Sequence, residues 1–285
     1  MMRAPQHILG LLATAVLLTG CSTSALTPNA NLVPESEEAQ LAASPANIAS
    51  LTEVVQRNPN DPQAYNMRGS VLGLAGRPEE ALTDFNKAIT LDPQYAQAYS
   101  NRALVQRQMN KLDLALADYN MALAIDPNYA AGYLGRGIVY RQNKQALNAL
   151  QDFNKAIVIR PDTAEAYYNR GLLYQTQHQH QYAIDDFSTA IGLALQQAEP
   201  FIARGLSYIA VKDYKAAVSD FDDALELEPQ NLQAWTNRGL AYERLGDKEK
   251  AAGSYARALN IRDYEPARFG FTRVGGKAGQ TYQTF

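Results

Sequence analysis

Between Pro62 and Glu265 apolar and small residues return every 34 positions, in copies that begin at Pro62, Ala96, Ala130, Ala164, Ala198 and Leu232, with no insertion or deletion. A fixed period of that length marks a repeat array and not one or two globular domains. Each copy divides into two apolar halves. The first carries an aromatic residue at its fourth position (Tyr65, Tyr99, Tyr133, Tyr167, Phe201, Trp235) and a small residue four later (Gly69, Ala103, Gly137, Gly171, Gly205, Gly239). In the second half Ala81, Ala115, Ala149, Ala183, Ala217 and Ala251 precede an aromatic by four, at Phe85, Tyr119, Phe153, Phe187, Phe221 and Tyr255. Spacings of three and four put these residues on one helical face. Small residues let two backbones approach while the aromatic fills the space beside them, so the halves are expected to form an antiparallel helical pair.

The ends of the array follow the same register. Ser44-Pro45 is a helix start, and Ile48, Leu51, Val54 and Val55 mark one face of a second half that has no first half. Residues 45–61 therefore read as an N-terminal capping helix. Pro93, Pro127, Pro161 and Pro229 are expected to end each second helix and open the next first helix, whereas copies four and six have Leu195 and Asp263 there. After Glu265, Pro266-Ala267-Arg268-Phe269 repeats the opening of a first helix with Phe269 in the aromatic position, before Gly270, Gly275 and Gly276 stop it. Residues 266–285 thus predict a short helix and a loosely held basic tail.

The pattern resembles the tetratricopeptide repeat (TPR), whose signature combines this period with these aromatic and alanine positions. The resemblance covers residues 62–265 as six repeats (62–95, 96–129, 130–163, 164–197, 198–231, 232–265). It implies an all-α solenoid, a right-handed superhelix of helical hairpins whose first helices line a concave groove.

Upstream of the array the pattern changes. Met1 to Gly20 has a positive start at Arg3, an apolar run from Ile8 to Leu18 and small residues before Cys21, the sole cysteine. This is a signal peptide by length and order, too short to span a bilayer as a finished helix. Leu18-Thr19-Gly20-Cys21 resembles the lipobox of bacterial lipoproteins. The resemblance implies cleavage between Gly20 and Cys21, diacylation of the thiol and, with Ser22 following, passage to the outer membrane. Two acyl chains anchor a protein stably. Residues 21–44, rich in Ser, Ala, Pro, Asn and Glu, read as a lipid-anchored tether, in which Pro34 to Ala43 can turn helical.

Charge narrows the partner classes. The formal net charge is -3, and removal of Arg3 with the signal peptide leaves 25 bases against 29 acids. That balance disfavours nucleic acid, whose partners normally carry a basic excess. The ends differ in sign: Glu35, Glu37, Glu38 and Glu53 stand without Lys or Arg in residues 22–56, and Arg268, Arg273 and Lys277 without an acid in residues 266–285.

The most regular charged feature is Arg at the seventh position of every copy, Arg68, Arg102, Arg136, Arg170, Arg204 and Arg238. Asp follows in register in five copies, Asp84, Asp118, Asp152, Asp186 and Asp220, with Ser254 in the last. Registered opposite charges predict structural ion pairs and not a phosphate track. His178 and His180, the histidines beyond the signal peptide, share one turn with no cysteine or fixed acid, so no metal site is expected and a solvated turn is the better reading. Asp185-Asp186 and Asp222-Asp223 sit where the repeat already places an acid, and Gly275-Gly276-Lys277-Ala278-Gly279 lacks the strand and the Gly-Lys-Ser/Thr of a phosphate loop. No nucleophile, base and acid converge, so neither an enzyme nor a cofactor is expected.

What remains is the groove. The TPR resemblance takes its lining from positions 2, 5, 6, 9, 12 and 13 of each first helix. In the central copies these include Asn101, Leu104, Arg107 and Gln108; Leu134, Ile138, Arg141 and Gln142; Tyr168, Asn169 and Leu172; and Ile202, Leu206 and Ile209. Arg107 and Arg141, at the twelfth position, fall outside the Arg–Asp register. Aliphatic patches beside arginines suit an extended or helical peptide with apolar anchors and an acidic group. The ninth position is Ser70, Leu104, Ile138, Leu172, Leu206 and Leu240, where the family's chaperone-binding members carry Asn, so a chaperone C-terminal carboxylate is disfavoured. The chain is therefore read as a protein-binding scaffold anchored in the bacterial envelope and facing the periplasm. The expected partners are envelope proteins, with peptidoglycan hydrolases or synthases as one class and an assembly-factor (pilotin) role for a secretin or pilus as the alternative. A glycan-binding module would need a convergent polar site, and nothing in the sequence excludes a homo-oligomer.

Overall fold

The structure, a computed structural model, describes residues 41–277, 279 and 282. Gly20, Cys21 and the tether as far as Gln40 lie outside the described residues. Fourteen α-helices and no strand occur among those described: α1 (Pro45–Arg57), α2 (Pro62–Leu74), α3 (Pro78–Leu91), α4 (Ala96–Gln108), α5 (Leu112–Ile125), α6 (Ala130–Gln142), α7 (Ala146–Ile159), α8 (Ala164–Thr176), α9 (His180–Leu193), α10 (Ala198–Ala210), α11 (Tyr214–Leu227), α12 (Leu232–Leu245), α13 (Lys248–Ile261) and α14 (Glu265–Arg273). No described helix is long and apolar enough to cross a membrane. The chain packs as two compact units, one ending at Val139 and one beginning at Tyr140, so the boundary falls inside α6.

Within each unit the hairpins are built as their sequence dictates. The second-helix aromatics Phe85, Tyr119, Phe153, Phe187, Phe221 and Tyr255 are almost fully buried among the recurrent alanines. The glycines opposite them leave no room for a side chain. A Cβ at Gly69, Gly171, Gly205 or Gly239 would stand 2.7–2.8 Å from the ring of its own hairpin's aromatic. Copy two has Ala103 instead, and there Tyr119 presses on the next hairpin, 2.3 Å from a Cβ built at Gly135.

The turn inside every hairpin is one motif. Residue 15 of each copy is left-handed: Gly76, Asn110, Lys144, His178, Lys212 and Gly246, with φ between 58° and 85°. The next residue donates its N–H to the carbonyl of residue 11, as in Arg77 to Leu72, Gln145 to Tyr140 and Gln179 to Tyr174, at 2.8–2.9 Å. This six-to-one bond is a Schellman cap, which normally favours glycine because it has no Cβ. Here glycine fills two of the six positions. His178 therefore has a conformational role, and its ring lies 6.0 Å from that of His180 at the start of α9. No group of three metal-capable side chains occurs among the described residues.

The prolines between hairpins do not open the next helix. Pro93, Pro127, Pro161 and Pro229 are the second residue of a four-residue turn, and the first helices begin three residues later. Asp92 and Asp126 hold that turn by accepting from the backbone N–H of Gln94 and Asn128 at 2.9 Å.

The C-terminal helix departs from the register read in the sequence. The turn before α14 has three residues, not four, and α14 starts one residue early, at Glu265; Asp263 stands in the proline position, although Leu195 in the same position of copy four leaves a four-residue turn. Ala267 is fully buried, like Ala64, Ala98, Ala166 and Ala234 at the third position of their copies. Gly270 meets Tyr255 as Gly135 meets Tyr119 at the sixth position. Phe269 is therefore not in the aromatic position but at the fifth, and is 62% exposed. Of the tail from Lys277 to Phe285, six residues lie outside the described ones, although the Phe271 and Tyr282 rings meet edge to face at 5.7 Å.

Candidate functional site

Two arginine layers must be separated before a binding surface can be drawn. The seventh-position arginines belong to the scaffold. Arg68 donates Nε and Nη2 to the two carboxylate oxygens of Asp84, both at 2.7 Å. The same fork joins Arg102 to Asp118, Arg170 to Asp186 and Arg204 to Asp220 at 2.6–2.9 Å. The remaining edge of the guanidinium reaches back one hairpin. Arg102, Arg136, Arg170 and Arg204 donate Nη1 to Asn86, Asn120, Asn154 and Ser188. Each guanidinium also lies 5.3–5.9 Å from the ring at position four of its own copy. The hydrogen bond to the aspartate holds Arg68 and Arg170 above the ordinary arginine range despite partial burial. Asp152 is buried in its helix.

Copy six is wired in the opposite direction. Ser254 replaces the aspartate, and Arg238 instead forms its ion pair with Asp222 of copy five, at 2.6 Å, in the place of the usual Asn. Ser254 accepts the other contact at 3.2 Å. Arg238 is the most buried of the six, closed in by Trp235 and Tyr242.

The residues expected to line the groove lie on the first helices. In the first unit Asn101 is buried and donates to Asn66 Oδ1 at 3.0 Å and Ser70 Oγ at 3.3 Å, while Asn66 donates to the Tyr95 hydroxyl at 3.2 Å. Burial pushes the Tyr95 hydroxyl above its ordinary value, keeping it neutral. Leu104 and Arg107 are half-buried and Gln108 is exposed. Leu134 and Ile138 are buried, so both contribute more to packing than to an open surface.

In the second unit Arg141 is half-buried and donates Nη2 to Asn169 Oδ1 at 3.3 Å; Asn169 in turn donates to the Glu165 carbonyl at 2.9 Å. Gln142 is exposed. Tyr168 and Leu172 are half-buried against Ala183, Phe187 and Ala203, with the Tyr168 and Phe187 rings 5.8 Å apart. Ile202 is buried, and Leu206 and Ile209 pack half-exposed over the core of copies five and six. The twelfth position reaches forward to the next first helix each time it is polar in this unit: Arg141 to Asn169, Gln175 to the Ala203 carbonyl and Ser207, and Glu243 to Arg273.

The profile of the tetratricopeptide repeat matches residues 96–129, 164–197 and 202–266, and that of the TPR repeat matches 74–109 and 139–177. The chain belongs to the tetratricopeptide repeat family. No curated protein matches it. Among solved structures, the TPR fold is shared with a chain of the APC/C hetero-tetramer Cut9–Hcn1, at 20% identity and a TM-score of 0.70 over 85% of this chain. The chain spans about half of that one, 46% of its length. PilF of Pseudomonas aeruginosa matches at 20% identity and a TM-score of 0.67, over 76% of this chain and 97% of PilF. YrrB, described as a TPR protein with an unusual peptide-binding site, matches at 27% identity and a TM-score of 0.57, over 66% of this chain and 97% of YrrB. A TPR array of this kind is a protein-interaction scaffold.

One feature escaped the sequence reading, the lock between α12 and α14. Arg273 donates Nη2 to Glu243 at 2.7 Å and Nε to its other oxygen, and Tyr255 donates to the same carboxylate at 2.9 Å. Both bonds hold Glu243 below the usual glutamate range, Arg273 first. A depressed folded value means that the stabilisation is complete above the unfolded value, about 4.3, and is lost as pH falls through the folded one. Hydrogen exchange of the α14 amides, taken relative to the intrinsic rate at each pH, is expected to stay constant from neutral pH down to that range and to accelerate below it. In Arg273→Gln it should be fast at neutral pH already. An unchanged pH profile in that variant would remove the lock from the account.

Proposed function

We propose that this TPR protein is an envelope adaptor, tethered to the outer membrane through lipidated Cys21 and presenting its first-helix face to partner proteins in the periplasm. The observation that carries the binding half is the separation of layers. The arginines, aspartates and aromatics of the hairpins are used up in packing, whereas Leu104, Arg107, Gln108, Arg141, Gln142, Tyr168, Leu172, Leu206 and Ile209 lie outside that packing set and keep exposed or half-exposed surface. A peptide site in YrrB, at 27% identity, supports the same use here. The lipobox resemblance supports the anchor. Aliphatic side chains beside Arg141 favour a helical or extended segment with an acidic residue, and peptidoglycan hydrolases and synthases are the partner class first to be tried.

The test is photo-crosslinking in intact cells from a benzophenone amino acid at Leu172, Leu206 or Gln142, with Lys155 on a second helix as the control. Crosslinks to one envelope protein from the first three and not from Lys155 are expected. A crosslinked murein enzyme supports the adaptor, a secretin or pilus subunit the assembly-factor reading, and crosslinks from Lys155 alone would move the site off the first helices. Palmitate labelling is expected to vanish in Cys21→Ser, and labelling that persists would sink the anchor.

A further inference from the structure

The array's charge is segregated. Residues 232–285 hold nine bases and five acids, a surplus of +4, while residues 22–231 hold sixteen bases and twenty-four acids. That basic end carries the single large aromatic left open on a first helix of the second unit. Phe269 is 62% exposed at position five, the position that Tyr168 and Ile202 occupy on α8 and α10. Of the other apolar side chains most exposed in this unit, Leu147, Val158 and Tyr182 lie on second helices and Leu195 in the turn between α9 and α10.

Basic groups flank the ring, with one acid, Glu265, exposed a turn before it on the same helix. Arg268 precedes it, held at 2.8 Å by the exposed carboxylate of Asp263. Arg273, one turn on, is oriented by Glu243 through Nε and Nη2 and stays half-exposed. Arg244, at the end of α12, is exposed and adds its field at Glu243. The Nε–Nη2 edges of Arg268 and Arg273 are taken by Asp263 and Glu243, so a partner carboxylate flanking an apolar side chain meets the remaining Nη1 edges of these exposed guanidinium groups. A single exposed ring is too small an apolar area to hold a bilayer surface by itself.

We propose that the C-terminal end of the first-helix face, centred on Phe269 and rimmed by Arg244, Arg268 and Arg273, docks an acidic segment of a partner protein, whose apolar residue packs on the Phe269 ring. The inference rests on the first-helix face being the binding face and names the chemistry of one end of it. It follows from the shortened turn before α14: in the unshifted register Phe269 would occupy the position where the other copies bury or half-bury their aromatic.

The experiment uses the purified full chain and fluorescein-labelled Glu-rich hexapeptides with a central Leu or Phe, against counterparts with Gln for Glu. Tighter binding of the acidic peptides, weakened by salt, is expected, with Phe269→Ala and Arg268→Gln each costing about tenfold in affinity. Both residues are exposed, so the thermal midpoint should not move, and circular dichroism checks this. Equal affinity for acidic and Gln peptides, absence of binding, or indifference to both substitutions would overturn the proposal. Binding of phosphatidylglycerol vesicles through the same two residues, with none of the peptides, would replace it with a membrane surface. Should the peptides fail while the crosslinks from Leu172 and Leu206 persist, only this end is lost and the adaptor reading stands.

Discussion

Phe187→Ala is expected to destabilise the second unit by about 3–5 kcal/mol, the cost of emptying a fully buried aromatic site. The ring fills the gap between α8 and α9, touches Tyr168 and Leu172 on the first-helix face, and packs on Ala203 of the next hairpin. Its loss therefore weakens one hairpin and one junction together, as nearest-neighbour stability in a repeat array requires. The partner of that ring is the missing side chain of Gly171. A Cβ there would stand 2.7 Å from Phe187 Cε1, so Gly171→Ala alone should cost about 1–3 kcal/mol through overpacking. In the double variant the alanine methyl meets empty space, and the two costs should fall well short of their sum. Urea unfolding followed by circular dichroism measures all three. Strict additivity would mean that the glycine is not there for the ring.

The second large effect is expected in the rewired copy. Arg238 has 4% of its side chain exposed, and Asp222 is its carboxylate partner. Asp222→Ala leaves a buried guanidinium with Ser254 as its hydroxyl contact. Breaking one side of a buried pair costs about 3–5 kcal/mol, and the partial exposure of Asp222 reduces this to about 2–3. The equivalent change in copy three, Asn154→Ala, leaves Arg170 its fork to Asp186 and should cost about 0.5–1.5 kcal/mol. Ser254→Asp restores the arrangement of the other copies and should recover stability in the Asp222→Asn background. The two alanine variants are compared by thermal unfolding. The single tryptophan, Trp235, lies against Arg238 and gives a local fluorescence signal for copy six. Equal losses in copies three and five would show that the serine had not shifted the burden onto Asp222.

The repeat, its helical pairing and the aromatic-on-glycine packing are legible in the sequence, because each is enforced by contacts that recur at one spacing. The arginine forks are legible for the same reason. Features that depend on a single copy are not. The left-handed residue at position 15 is Gly, Asn, Lys or His, and nothing local announces that Lys144 and Lys212 adopt it; the hydrogen bond from the next residue imposes it. The shift of α14 hangs on a turn one residue shorter, which a constant period hides until Ala267 and Gly270 are seen in contact. On the candidate surface the family register names positions but not burial. Leu134, Ile138 and Ile202 share the positions of half-open neighbours, yet the neighbouring side chains cover them.

The backward reach of the seventh-position arginines limits how such an array can be recombined. A copy cut at its 34-residue boundary takes along its own aspartate but leaves the Asn, Ser or Asp of the preceding hairpin behind. For copies two to five this arginine loses one neutral hydrogen bond, so its fork is an exchangeable part. Copy six differs, since its buried arginine has its counter-ion across the cut. The smallest portable piece at that end is the pair formed by copies five and six, and chimaeras joined at residue 232 should be about 2–3 kcal/mol less stable unless the donor upstream supplies an acid in the place of Asp222.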